Sequence, residues 1–186
     1  MMSSVCFDLP NWIQSLAEAY RSTPTVEARM NLVIEAARQN IVQQTGGPFA
    51  AGVFEMGSAK LIALGVNRVT TQGLSMLHAE MVALSLAQRR LGQYNLGADS
   101  KQQYELVCST EPCAMCLGGI CWSGIRRVVS GATDADARAV GFDEGPKPGD
   151  WIAELEQRDI EAQPEVMREE ARGILHQYRS SGGIIY

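Results

Sequence analysis

A three-layer α/β/α sandwich built on a mixed sheet is the fold that this sequence predicts, and three observations carry the prediction. Segments with helical spacing of apolar residues alternate with short apolar runs in the order helix, hairpin, helix, strand, helix, strand. Two of those runs, Phe49 to Met56 and Leu61 to Val66, are split by Gly57-Ser58, the punctuation of a β-hairpin and hence of antiparallel pairing. The 186 residues are 46% hydrophobic and show no internal repeat or low-complexity tract, enough for one core of their own, so 1–186 reads as a single domain.

Each element has a local reason. Residues 11–20 read as a short helix inside an N-terminal extension, 1–23. Thr23 is a helix cap with Pro24 at the first position and Glu27 in the first turn of a longer helix. Val26, Met30, Val33, Ile34, Ala37 and Ile41 recur at three and four, which gives that helix one apolar face, and Gly46-Gly47-Pro48 ends it. Beyond the hairpin, 77–91 is a helix with His78 and Glu80 in its first turn. Gly92 to Lys101 is a loop, Tyr104 to Thr110 a buried strand, and Cys113 to about Ser123 a helix entered from Pro112. Arg127 to Gly131 is another strand, and two or three helices fill Asp134 to Tyr178, broken at Pro164.

Composition narrows the partners. Net charge is −5, and the only adjacent basic pairs are Arg89-Arg90 and Arg126-Arg127. A polyanion needs a basic stripe to displace its counterions, so no nucleic-acid partner is expected. No run of about 18 uncharged apolar residues exists, and the N-terminus lacks the basic and apolar regions of a signal peptide, so no membrane partner and a cytoplasmic location are expected. Five cysteines, an odd number with two in C-x-x-C, suit a reducing compartment and metal binding better than a disulfide framework.

The chemistry concentrates in His78-Ala79-Glu80 and Pro112-Cys113-Ala114-Met115-Cys116. One imidazole and two thiolates make a three-ligand zinc set whose fourth tetrahedral position stays open, the stoichiometry of a catalytic rather than a structural site. Both motifs fall at expected helix N-termini, where unpaired N–H groups and the macrodipole favour thiolate, and residues three apart share one side of the first turn. Glu80, two residues from a ligand but with no ligand duty, is placed to move a proton. A lone C-x-x-C is as often a redox dithiol, a lone His a core residue and a Glu a solvated surface group; the conjunction outweighs these readings. No second C-x-x-C exists, so a four-cysteine ribbon is excluded.

This H-x-E…P-C-x-x-C pattern resembles the cytidine-deaminase superfamily of zinc enzymes. Taken with Gly46-Gly47-Pro48-Phe49, Asn67, Trp122 and Gly141-Phe142-Asp143-Glu144, it is most similar to bacterial guanine deaminases, from about Pro24 onward. The resemblance implies a cytidine deaminase-like five-stranded mixed sheet, one Zn²⁺ per chain on His78, Cys113 and Cys116, a small nucleobase substrate and a homodimer. It implies conversion of guanine to xanthine and ammonia, with Glu80 and Glu144 as catalytic acids and Asn67 reading the purine edge. Asp143 is the rival to Glu144 one residue away. Phe49 and Trp122 are candidates to wall or stack on the ring, although an aromatic is more often core. Residues 180–186 end in Ile184-Ile185-Tyr186 behind Gly182-Gly183, a tail that either packs on the core or closes as a lid with Tyr186 over the substrate.

Other readings stay open at this point. A tRNA adenosine deaminase shares His-Ala-Glu and Glu-Pro-Cys-x-Met-Cys, an amino-s-triazine has a similar amidine-like carbon, and a structural zinc domain could have lost its activity. Glu80 speaks against the last. Cys108 and Cys121 read as buried small hydrophobes, and His176 carries no assignment.

Overall fold

The computed structural model describes residues 4–186. One five-stranded sheet runs in the order β2-β1-β3-β4-β5, with β1 at Ala50–Glu55, β2 at Leu61–Val66, β3 at Tyr104–Thr110, β4 at Arg127–Ala132 and β5 at Glu161–Gln163. β1 is antiparallel to both β2 and β3, whereas β3, β4 and β5 are mutually parallel neighbours, so the sheet is mixed as expected. The helices are α1 (Trp12–Ala19), α2 (Val26–Val42), α3 (Val69–Gln72), α4 (Ala79–Leu91), α5 (Ala114–Ser123), α6 (Asp134–Ala139), α7 (Trp151–Glu156) and α8 (Arg168–Ser180).

Strand alternation sorts these helices into two layers. From β3, Val107 joins a core with Met30, Val33 and Ala37 of α2 and Ile174 and Leu175 of α8. Leu106 and Cys108 point the other way, into a core with Ala83 and Leu84 of α4, Ile120 of α5 and Leu155 of α7. Both faces are thereby covered, the condition under which a parallel strand pair is found.

Five local expectations need correction. α2 starts at Val26 with Thr25 as its N-cap, so Thr23 and Pro24 lie before it. The guanidinium of Arg29 bonds the carbonyls of Thr23, Pro24 and Thr25 and so fixes this entry. His78 and Cys113 are themselves the N-caps of α4 and α5 rather than first-turn residues. The fifth strand has no apolar alternation in Glu161-Ala162-Gln163; it forms because β4 offers a free parallel edge on which Arg127 registers with Glu161. The short α3 was not expected, and Cys121 is only partly buried.

Topology brings the chemistry to one rim. Because β1 runs against its neighbours, its start lies beside the ends of β2 and β3, and the end of β4 follows on the same rim. Phe49, Asn67, Glu111 and Thr133 flank those ends. A carboxylate sits deep under this rim: Glu105 of β3 is fully buried between Arg29 of α2 and Arg127 of β4, whose Nε donates to Glu105 Oε2 at 2.8 Å. Removing one member of such a group strands the others' charge. Glu105→Ala is therefore expected to lower unfolding free energy by ~3–5 kcal/mol, read from urea midpoints at unchanged m; a loss under 1 kcal/mol would show the cluster to be solvated.

Candidate active site

His78 ends the loop before α4 and Cys113 ends the turn after β3, each at the N-cap, while Cys116 lies one turn into α5. Their donor atoms lie within 4.8 Å of one another, and Cys113 Sγ is 3.4 Å from His78 Nδ1. A tetrahedral zinc with bonds of about 2.0–2.3 Å would hold its sulfur and nitrogen ligands roughly 3.6 Å apart. The donor set therefore fits zinc in kind and in spacing.

The thiols already carry the asymmetry that a cation would resolve. A hydrogen bond from Cys116, against the opposing cost of burial, holds the Cys113 thiol down at about 4. The same bond, with burial, pushes Cys116 up: one thiolate and one thiol share a proton. For His78, burial works against the imidazolium, but the Cys113 bond and the charges of Glu80, Cys113 and Glu144 outweigh it and the net shift is upward.

His78 and Cys113 open onto a cavity of about 330 Å³ shared with Phe49, Asn67, Glu80, Glu111, Phe142, Asp143, Glu144 and Tyr186. Two carboxyls in it are held protonatable near neutral pH. Burial, then the charge of Cys113, raises Glu80 to about 7, with His78 opposing. Burial, then Cys113 and Glu80, raises Glu144 to about 8, with Lys147 opposing. Acids tuned this close to neutrality can both give and take a proton.

The neighbouring acids of the loop behave differently. Glu144 is 6% exposed, and its carbonyl accepts from Ala114 N at 3.0 Å, which seats it against the start of α5. Asp143 has a side chain that is 84% exposed and turns back to accept from Gly145 N. A buried ion pair fastens the same loop: Lys147 Nζ lies 2.9 Å from Glu111 Oε2 and rests on the Trp151 ring.

The aromatic wall differs from the expected one. Trp122 is 86% exposed on α5 and lines no part of this cavity, so it is not a wall of its own chain's site; its helical position turns it to the outer surface. Phe142, to which the sequence reading gave no role of its own, takes that place. Its ring meets Phe49 edge to face at 4.8 Å and Tyr186 at 5.6 Å, and stacks near Tyr178. The signal was present, since a large aromatic between glycine and two acids in a loop has little reason to face water. Glu111, Val69 and Ser75 are further lining residues without assignment.

The C-terminal tail folds back to its own site. Gly182 adopts φ +76°, Tyr178 Oη donates to the carbonyl of Ile184 at 2.9 Å, and Ile185 and Tyr186 pack on the α2 and α8 side of the core. Tyr186 enters the cavity near Asn67, with its hydroxyl buried.

Residues 24–132 match the cytidine and deoxycytidylate deaminase zinc-binding region, and the chain belongs to that family. Within it, the solved structure of guanine deaminase from Nitrosomonas europaea is 43% identical, with TM-score 0.92 and coverage of 97% of this chain and 98% of that one. A related solved structure in complex with 2,6-diaminopurine is 44% identical, with TM-score 0.93 over 100% and 98%. Guanine deaminase of Bacillus subtilis is 36% identical over 118 residues, 63% of this chain and 71% of the relative. A tRNA-specific adenosine deaminase of Buchnera aphidicola is 30% identical over 135 residues, 73% and 83% of the two chains.

Gly47 controls how closely the tail seats. A Cβ there would lie 2.6 Å from Tyr186 Oη and 3.2 Å from Asn67 Oδ1. Gly47→Ala should dislodge Tyr186, and carboxypeptidase should release it about tenfold faster, the effect of ~1.4 kcal/mol on closure. Equal release rates from the two proteins would mean that the tail is not held by this contact.

Proposed function

We propose that this chain is a zinc-dependent guanine deaminase, hydrolysing guanine at C2 to xanthine and ammonia. The observation that carries the reading is the pair of buried carboxyls, Glu80 and Glu144, facing one cavity with a three-donor cluster that could hold a metal. Whole-chain likeness to guanine deaminase, at higher identity than to tRNA-specific adenosine deaminase, supports the substrate. The net charge of −5 supports a small neutral ring over tRNA.

His78, Cys113 and Cys116 would hold one Zn²⁺ per chain, which would supply Lewis acidity and lower the pKa of an attacking water. Glu80 accepts a proton from the attacking water, delivers it to the ring nitrogen beside C2 and supplies the proton that the departing amine needs. Glu144 holds the exocyclic amine and shares in that proton traffic. Asn67, an amide that both donates and accepts, pairs with the purine edge. Phe49, Phe142 and Tyr186 close on the ring, and the tail acts as a lid that keeps bulk water out. Guanine and one water thus become xanthine and ammonia.

The homodimer rests on the likeness to guanine deaminases, and the exposed indole of Trp122 on α5 is a side chain that such an interface would cover. The Cys113 and Cys116 thiols need a reducing compartment to stay available for metal, the ground on which we place the enzyme in the cytoplasm; among the described residues no helix is long and apolar enough to cross a membrane.

Incubation with guanine, adenosine-containing tRNA and an amino-s-triazine, with ammonia as the readout, tests the substrate; release from guanine alone is expected. Metal analysis should give one Zn²⁺ per chain, and Cys113→Ala should lose metal and activity together. Glu80→Gln should keep its zinc and lose ~10²–10⁴ in kcat. Glu144→Gln should lower kcat more than it raises KM, whereas Asp143→Asn should do neither. The reverse pattern at the last two would move the loop acid to Asp143.

A further inference from the structure

We infer that Asn40 is a positioning residue that sets the base-reading Asn67, and that the N-terminal helix α1 buttresses it through Trp12 and Thr45. Asn40 lies near the end of α2 and is fully buried, outside the cavity. Its Nδ2 donates to the carbonyl of Gly47 at 2.8 Å and to the carbonyl of Asn67 at 2.9 Å. Those two backbone groups belong to adjacent segments at the rim, one entering β1 and the other leaving β2. One side-chain amide thus ties them together.

Hydrogen-bond chemistry fixes the direction of the whole relay. Two carbonyls can be served only by an NH₂, so both amide protons of Asn40 are used. Its Oδ1 is left to accept, and Thr45 Oγ1 lies 2.8 Å away and must donate. The lone pairs of that hydroxyl then accept from the indole Nε1 of Trp12 at 3.2 Å, a group that can only donate. No member can be reversed without leaving a polar group unpaired. The carbonyl of Thr45 in turn accepts from Arg68 and from Thr71 Oγ1, the residues that follow Asn67.

Packing leaves this clamp no play. A Cβ on Gly46 would lie 1.9 Å from the carbonyl of Asn67 and 2.7 Å from Asn40 Nδ2. Asn67 Oδ1 accepts from Val69 N at 3.2 Å, so once its backbone is set, its side chain has one way to face the cavity. A displacement of about 1 Å at such a group can cost ~10²-fold in rate. The residues before α2 thereby acquire a role: α1 supplies the last donor of a network whose other end meets the substrate.

This inference rests on Asn67 binding the purine, so its test includes a readout that needs no substrate. In a zinc-loaded Glu80→Gln background, calorimetry with 2,6-diaminopurine should show Asn40→Asp weakening binding by about 10–10²-fold, because a carboxylate would face two carbonyls. Thr45→Val, close in shape, should weaken it about three- to tenfold, the worth of one hydrogen bond. In otherwise wild-type protein the same changes should raise KM for guanine more than they lower kcat. Amide exchange should quicken in 45–49 and 66–69 of Thr45→Val and stay unchanged in 104–110. Should Asn40→Asp not fold, Thr45→Val decides. Exchange and affinity both within twofold of the parent would overturn the inference, as would losses that only follow melting temperature or zinc content. Quickened exchange in a protein whose parent releases no ammonia from guanine would instead overturn the proposed activity and leave the clamp standing.

Discussion

Everything at the functional rim depends on two helix N-termini meeting across the end of a parallel strand. His78 caps α4 and Cys113 caps α5, so three donors converge where unpaired backbone N–H groups already favour negative charge. Without a cation the two thiols share one proton, and Cys113 holds the charge. A divalent ion held by His78, Cys113 and Cys116 would relieve that compromise, and its binding energy would add to the stability of the elements that present them.

The same convergence explains the carboxyls. Glu80 and Glu144 are raised chiefly by burial and next by the Cys113 thiolate, so the three-donor cluster and the two carboxyls are one electrostatic system. The aromatic rings maintain the burial. Phe49, Phe142 and Tyr186 come from the start of β1, a loop after α6 and the last residue of the chain, and together they narrow the mouth of the cavity. Lys147 is the counterweight, a cation seated against Glu111 on the far side of the Glu144 loop.

Charge placement elsewhere follows a like rule. Glu105 is fully buried because two guanidiniums from different layers reach it, joining α2, β3 and β4 below the rim. Asp136 caps α6 through a reciprocal pair of bonds with Thr133 and binds Arg168 at the start of α8. Its bond to Arg168 comes first among the causes holding its carboxyl well below the usual range. That stability is present above the ordinary carboxylate pKa and is lost as acid protonates the group.

The sequence by itself determined what depends on local spacing. The apolar period of α2, the Gly57-Ser58 hairpin and the two metal motifs at helix starts could be read because each needs only residues within a turn or two of one another. Glu80 was singled out by its spacing from His78, and the Glu144 loop through the resemblance that those motifs carry. Tertiary structure alone decided what depends on pairing between distant segments. Glu161-Ala162-Gln163 became a strand because β4 had an edge to offer, and Glu105 became a buried charge because Arg29 and Arg127 meet there. Phe142 rather than Trp122 walls the cavity because the loop after α6 turns inward while the outer face of α5 turns away. Asn40, 27 residues from Asn67, is an ordinary polar residue in a helix until the fold sets two carbonyls before its amide. Local pattern encodes which groups a segment presents; only packing encodes what they meet.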